Sequence, residues 1–260
     1  MARRPRRLTI SSDDHKLIGR IYDLSIAGLH FDDYADAEKY PDVIYALTVN
    51  NRASLLTKRI ESLNHVGDIL WPRRRIRPKL LPMSAYEYCN FIQDVLLMRT
   101  ISILDCCCLL TVAILELDII PRQTTIDRIR NASNSHPSSD KLKAISDLQF
   151  EFRTERNMRF HRAEEEPLTD DDVTFKIAAL YAFQGQGITG NDRHDRNIDL
   201  TKSYDEAIDN IRNKFRNNIK LLKRPINELY DCLIGEFNTR FSTKFRDPSG
   251  YGHKIGMVKI

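Results

Sequence analysis

Residues 84–117 read SAYEYCNFIQDVLLMRTISILDCCCLLTVAILEL, and the fold class follows from how that stretch is patterned. Phe91, Val95, Leu96, Ile103, Leu104, Leu110 and Ile114 recur at helical spacing over about nine turns. Ser84 is placed to cap the first turn, and Glu87 sits where a capping box needs its carboxylate. This is the longest helix the spacing predicts without a proline inside it. Its most apolar part, residues 101–115, is bounded by Arg99 and Glu116 and carries Asp105. That part is shorter and more polar than the roughly 20 residues of a bilayer span, so a buried core helix with no membrane contact is expected. Leu104, Cys107, Leu110 and Ile114 are its expected core residues. A lone buried carboxylate is costly, so Asp105 is expected to pair with a cation, either on a neighbouring helix or as a group that orients Arg156.

Helical periodicity continues on both sides. Val43, Leu47, Leu55, Leu56, Ile60 and Leu63 predict a helix over residues 43–63. Leu142, Ile145, Leu148, Phe152 and Phe160 predict one from Ser138 or Ser139 to about Glu164. Residues 171–183 begin with Asp, which suits the positive end of a helix dipole. Ile208, Ile211, Phe215, Leu222 and Leu229 predict a last helix over 204–241, kinked or divided at Pro225. Strand alternation is absent beyond a short run near Leu8. Only 10 Gly and 10 Pro in 260 residues argue against a turn-rich β protein. The expected class is all-α, a bundle of long antiparallel helices. The basic stretch WPRRRIRPK (71–79) suggests a boundary: residues 1–80 as an N-terminal helical extension, 81–245 as the bundle and 246–260 as a C-terminal tail.

The chain is 42% hydrophobic, too apolar for a disordered one, and its net charge is only +4. A charge that small does not identify a nucleic-acid binder, so any such case rests on local clusters. The five cysteines include the adjacent Cys106, Cys107 and Cys108 and form no C-x-x-C pair. That pattern suits packed thiols in a reducing compartment better than a disulfide framework or a zinc site. Basic residues 1–7 are followed by too short an apolar run for a signal peptide, and a cytoplasmic location is expected.

Phosphate-binding and metalloprotease signatures are missing. Gly185, Gly187 and Gly190 lack the preceding strand a dinucleotide loop needs and read as a flexible loop. His194 among Asp192, Asp195 and Asp199 reads as a solvated loop, and no metal and no cofactor are expected. One segment carries chemistry: Glu-Arg-Asn-Met-Arg-Phe-His-Arg at 155–162. Arg–His spacing alone is weak evidence, because Arg59/His65, Arg130/His136 and Arg246/His253 also satisfy it loosely. Requiring Asn directly after Arg lowers the chance expectation for the tightest spacing to about 0.04. Arg130-Asn131 keeps the Asn but reaches His136 across Ala-Ser-Asn-Ser, a loop sequence.

With Arg156, Asn157 and His161 in this R-N-x-x-x-H pattern on an expected helical bundle, the chain resembles the HEPN superfamily (higher eukaryotes and prokaryotes nucleotide-binding) over roughly residues 84–240. The resemblance implies a metal-independent endoribonuclease that leaves 2′,3′-cyclic phosphate ends, with Arg156, Asn157 and His161 as catalytic residues. It further implies a homodimer whose two motifs face each other, and a place as a toxin or anti-phage defence effector with an antitoxin or other defence partner. The alternative is a non-catalytic HEPN-like helical module that binds nucleotide or protein.

The residue types suit RNA chemistry. The 2′-hydroxyl is a built-in nucleophile, a histidine titrating near pH ~6.5 exchanges its proton, and a planar guanidinium holds phosphate. Asn157 and His161 are four apart and share a helix face. Arg156 and His161 diverge by about 140° on a regular helix, so a helix end, a kink or a second protomer must bring them to one phosphate. Arg153, Arg159 and Arg162 on the same helix, and Arg73, Arg74 and Arg75 in the 71–79 stretch, are the expected RNA contacts. The clusters at 3–7 and 212–224 are further basic surface, and the acidic runs 164–166 and 170–172 limit where RNA can run.

Overall fold

The structure, a computed structural model, describes residues 14–74, 76–192 and 196–255. It is about 75% helical, with no strand among the described residues, and the all-α expectation holds. The run near Leu8 lies outside the described residues. The helices are α1 (Lys16–Ser25), α2 (Tyr34–Ala37), α3 (Pro41–Leu70), α4 (Ala85–Ile114), α5 (Ile126–Ala132), α6 (Ser138–Leu148), α7 (Phe150–Arg162), α8 (Asp172–Phe183), α9 (Leu200–Arg246) and α10 (Tyr251–Lys254).

The described chain forms two compact units assembled from non-contiguous segments. One takes residues 62–101 and 149–220, and the other takes 14–61, 102–148 and 221–255. Of the described residues before α4, 14–61 belong to one unit and 62–74 to the other. The physical reason is helix length. At about 1.5 Å per residue, α3, α4 and α9 each have enough length to supply one core with one part and a second core with the rest.

In the 62–101/149–220 unit, Leu63, Val66, Leu96, Phe175, Ile211 and Phe215 are buried. The start of α4 shows the expected capping box: the Glu87 amide donates to Ser84 Oγ at 3.3 Å and the Ser84 amide donates to Glu87 Oε2 at 3.1 Å. Both bonds satisfy groups that a helix start would otherwise leave unpaired. Ser84→Ala should cost about 1 kcal/mol, seen as a lower urea midpoint with an unchanged slope. Tyr86 on α4 donates to Asp172 Oδ2 at 2.8 Å, which ties α4 to the first turn of α8. Asp171 caps α8 through the Thr174 amide.

The single helix expected over 138–164 is two helices. Gln149 breaks it with φ −94° and ψ 5° and is fully buried. Its Nε2 donates to the Thr100 carbonyl at 2.8 Å, and Asn218 Nδ2 donates to Thr100 Oγ1 at 2.7 Å. These bonds satisfy the Gln149 amide nitrogen and both Thr100 oxygens, and periodicity cannot reveal them. The longest helix is α9, with 47 residues, not α4, and Pro225 lies inside α9 without dividing it.

The 14–61/102–148/221–255 unit packs Leu17, Ile21, Leu56, Cys107, Leu110, Leu142, Tyr230 and Phe237. Leu104, Cys107, Leu110 and Ile114 are all buried as expected. The stretch read as a tail from residue 246 is instead docked as far as residue 255. Asp42 accepts from the Tyr251 and Gly252 amides at 2.8 and 3.1 Å, and the Tyr251 ring meets Phe31 and Tyr40. Gly252 is required there, since a Cβ would fall 2.1 Å from the Phe245 ring. Residues 256–260 lie outside the described part.

Three residues of the apolar helical segments are exposed. Asp105 is exposed, so the burial that motivated pairing it with Arg156 is absent. Phe91 and Phe160 are 54% and 49% exposed. One helix among the described residues, Ala85–Ile114, is long and apolar enough to cross a membrane, and 61% of its most apolar window is buried inside the protein.

Candidate functional site

The motif occupies the second half of α7 and ends with it. Ala163 follows in the left-handed region, φ 55° and ψ 30°, and stops the helix two residues after His161. Arg159, His161 and Arg162 fall in the last turn, where cations meet the negative end of the helix dipole.

α7 is polar on the side it buries. Glu155 is 8% exposed; its Oε1 accepts from Gln93 of α4 and pairs with Lys214 of α9 at 3.1 Å. Lys214 also pairs with Glu166 at 2.8 Å. One turn on, the Arg159 side chain is 4% exposed, and its Nη1 lies 3.1 Å from Asn90 Oδ1, 3.1 Å from Asp94 Oδ1 and 3.9 Å from Glu165. Burial pushes the Asp94 carboxyl up, against the pull of the Arg159 guanidinium. Arg159 is thus an internal anchor of α7, not the RNA contact expected from its three-residue spacing with Arg153, Arg156 and Arg162. The Glu164–Glu166 run is partly neutralised by the same two cations.

The opposite side is open. Asn157 and His161 are exposed and share a face one turn apart. Arg156 and Arg153 are half-buried beside them, and Arg162 is exposed. The Arg156 Nε is buried with no hydrogen-bond partner among the described residues, which leaves that guanidinium with unused donor capacity. Phe160 is exposed between them.

The competing copy at Arg130-Asn131 is a structural feature. It bends through Asn134 and Ser135 at φ 51° and 61°. His136 Nδ1 accepts from the Ser138 amide at 3.2 Å, and Arg130 pairs with Asp140 at 2.9 Å. Both side chains therefore serve the entry to α6.

Arg73 and Arg74 are exposed, and Arg75 lies outside the described residues. His194 and Asp195 lie outside them too. Among the described residues no group of three His, Cys, Asp or Glu is arranged to hold a metal ion. Cys89, Cys106, Cys107 and Cys108 are buried. Burial pushes the Cys89 thiol up to about 12 and Cys107 well above its ordinary value, so neither is a ready nucleophile. Sequence reading missed Gln93, Asn90, Asp94 and Lys214 as the partners that hold α7; Gln93, Asn90 and Asp94 face it because they lie on one stripe of α4.

The chain matches no family model, no curated protein and no solved structure.

Proposed function

We propose that this chain is a metal-independent endoribonuclease of the HEPN type, working on RNA in the cytoplasm as a homodimer. The observation that carries the reading is the exposed Asn157–His161 pair, beside Arg156, on a helix end anchored from below by buried charges. Pre-organisation of that kind is what phosphate chemistry needs.

In this reading the RNA 2′-oxygen attacks the adjacent phosphorus and the bond to the 5′-oxygen breaks. His161 moves one of the two protons, from the 2′-hydroxyl or to the departing 5′-oxygen, and solvent water carries the other. Arg156 holds the non-bridging oxygens and stabilises the charge that develops. Asn157 orients one of the two. The products are a 2′,3′-cyclic phosphate and a 5′-hydroxyl.

A two-fold axis beside α7 would bring Arg156 of one protomer towards His161 of its partner, which resolves the divergence of about 140°. Like charges repel across such an axis, so apolar contacts must hold it. Phe150 and Phe160, 68% and 49% exposed on the same helix, support that role. A toxin or anti-phage role and an antitoxin or other defence partner belong to the same proposal and rest on the family resemblance.

The test incubates the chain with total RNA in excess chelator and maps the new ends. Cyclic phosphate ends that disappear with His161→Ala are expected. RNA that is bound but left intact by the wild type would favour the binding-module alternative. Arg73→Ala/Arg74→Ala should weaken RNA binding and flatten its salt dependence by about 0.7 in logarithmic slope for each phosphate no longer neutralised. An unchanged slope would make those arginines ordinary solvated surface.

A further inference from the structure

A second feature of the 62–101/149–220 unit has no part in the motif chemistry. Residues 69–73 and Ile76, with one face of α9 from Tyr204 to Arg216, line a cleft of about 950 Å³. Trp71, the only tryptophan in the chain, lies in its wall and is half-buried. Phe215 meets the indole edge-on at 5.7 Å. Arg216 and Arg212 lie over the ring, 4.9 and 5.6 Å from its centre.

The two arginines differ in duty. Arg212 Nε donates to the Leu70 carbonyl at 2.8 Å, and its Nη1 pairs with Asp209 at 2.8 Å. It caps the C-terminal end of α3 and holds the Trp71 corner against α9. Arg216 is exposed, and its contact in the structure is the Trp71 face. Arg73, also exposed, lines the same cleft. Asp205 and Asp209 line it as well, and Asp209 is neutralised by Arg212. Among the described residues no ion pair ties Arg216 or Arg73 to an acid, so the cleft presents one aromatic platform flanked by two cations.

We propose that this cleft binds an unpaired nucleotide unit, with the base stacked on the Trp71–Arg216 platform and the adjacent phosphate on Arg216 and Arg73. Aromatic rings and guanidinium planes both stack on bases, and a base is available for stacking only where it is unpaired. The cleft therefore selects single strands over duplexes. The shared chemistry is a base with a phosphate, from a free nucleotide or from a strand. The site does not depend on cleavage and stands whether or not the motif is catalytic.

Having one tryptophan makes the test direct, because emission excited at the red edge of the indole band, where the ten tyrosines scarcely absorb, reports on Trp71 alone. The full chain is titrated with an oligothymidylate of about twelve nucleotides, which lacks the 2′-hydroxyl and cannot undergo the proposed cleavage. Saturable quenching of Trp71 is expected, with little or none from the same length of duplex or from inorganic polyphosphate. Arg216→Ala, at an exposed position, should weaken binding several-fold. Trp71→Ala should weaken it about tenfold, read by anisotropy of labelled strand, and Trp71→Phe should recover part of that. A mononucleotide that quenches as tightly as the oligomer assigns the cleft to free nucleotide; one that binds far more weakly assigns it to a strand. Equal quenching by polyphosphate, strand binding that leaves Trp71 emission unchanged, or full affinity in Arg216→Ala would each overturn the proposal. RNA cleavage lost in His161→Ala with quenching intact would separate this site from the motif.

Discussion

His161→Ala protein should lose RNA cleavage by a factor of about 10²–10⁴ while keeping its fold and its affinity for RNA. The magnitude is what removal of a positioned proton donor or acceptor costs. The fold should survive because His161 is exposed and is the penultimate residue of α7. Arg156→Ala should lose activity comparably, and Arg156→Lys should recover only part of it, since an ammonium lacks the planar pair of donors. Mixing the two inactive variants separates the arrangements. If each site takes His161 from one protomer and Arg156 from its partner, mixed dimers keep one intact site and activity returns. If each protomer is self-sufficient, the mixture stays as inactive as its parts. Unimpaired cleavage by His161→Ala would remove the motif from the chemistry altogether.

Arg159→Leu should be the most destabilising single change near the motif, by about 2–3 kcal/mol. Removing one partner of a buried ion pair leaves the other charged and underpaired. The figure sits at the low end for such losses because the Asp94 side chain is 36% exposed and can regain water. Asp94→Leu combined with Arg159→Leu should recover most of the loss, because the unpaired charge is gone. The deficit should also depend on pH in a fixed direction. The folded-state Asp94 carboxyl is raised by burial, so the unfolded state binds fewer protons in that window and stability falls as pH rises through it. Without Arg159 the rise is larger. The single variant should therefore recover on acidification towards pH ~4, and the double variant should not. Denaturant midpoints at a few pH values decide this. If Arg159→Leu keeps full stability and loses RNA affinity instead, Arg159 faces RNA and not Asp94.

These two experiments divide the arginines of α7 in a way that spacing could not. Arg153, Arg156, Arg159 and Arg162 recur every three residues and look equivalent in sequence. What separates them is which face of α7 meets α4 and α9. The partners of Glu155 and Arg159 on α4 are 62 and 69 residues away in the chain. Phe160 illustrates the converse: its helical spacing suggested a core position, yet α7 packs on its polar side and leaves that ring exposed.

Local chemistry determined the helices. Apolar residues at a 3.6-residue period, a capping box at Ser84 and Glu87, and Asp171 before α8 act over one or two turns, so they can be read without knowing the fold. The same locality made the loop at 133–137 and the motif's position on a helix legible, although Asn131 and Ala132, read as part of that loop, close α5. Tertiary structure decided the rest. The break at Gln149 depends on a carbonyl of α4, and the burial of Arg159 depends on Asn90 and Asp94. The division into two units depends on long helices that each supply two cores. Each of these is a contact between residues far apart in the chain, and a period shows which face is apolar but not what it meets.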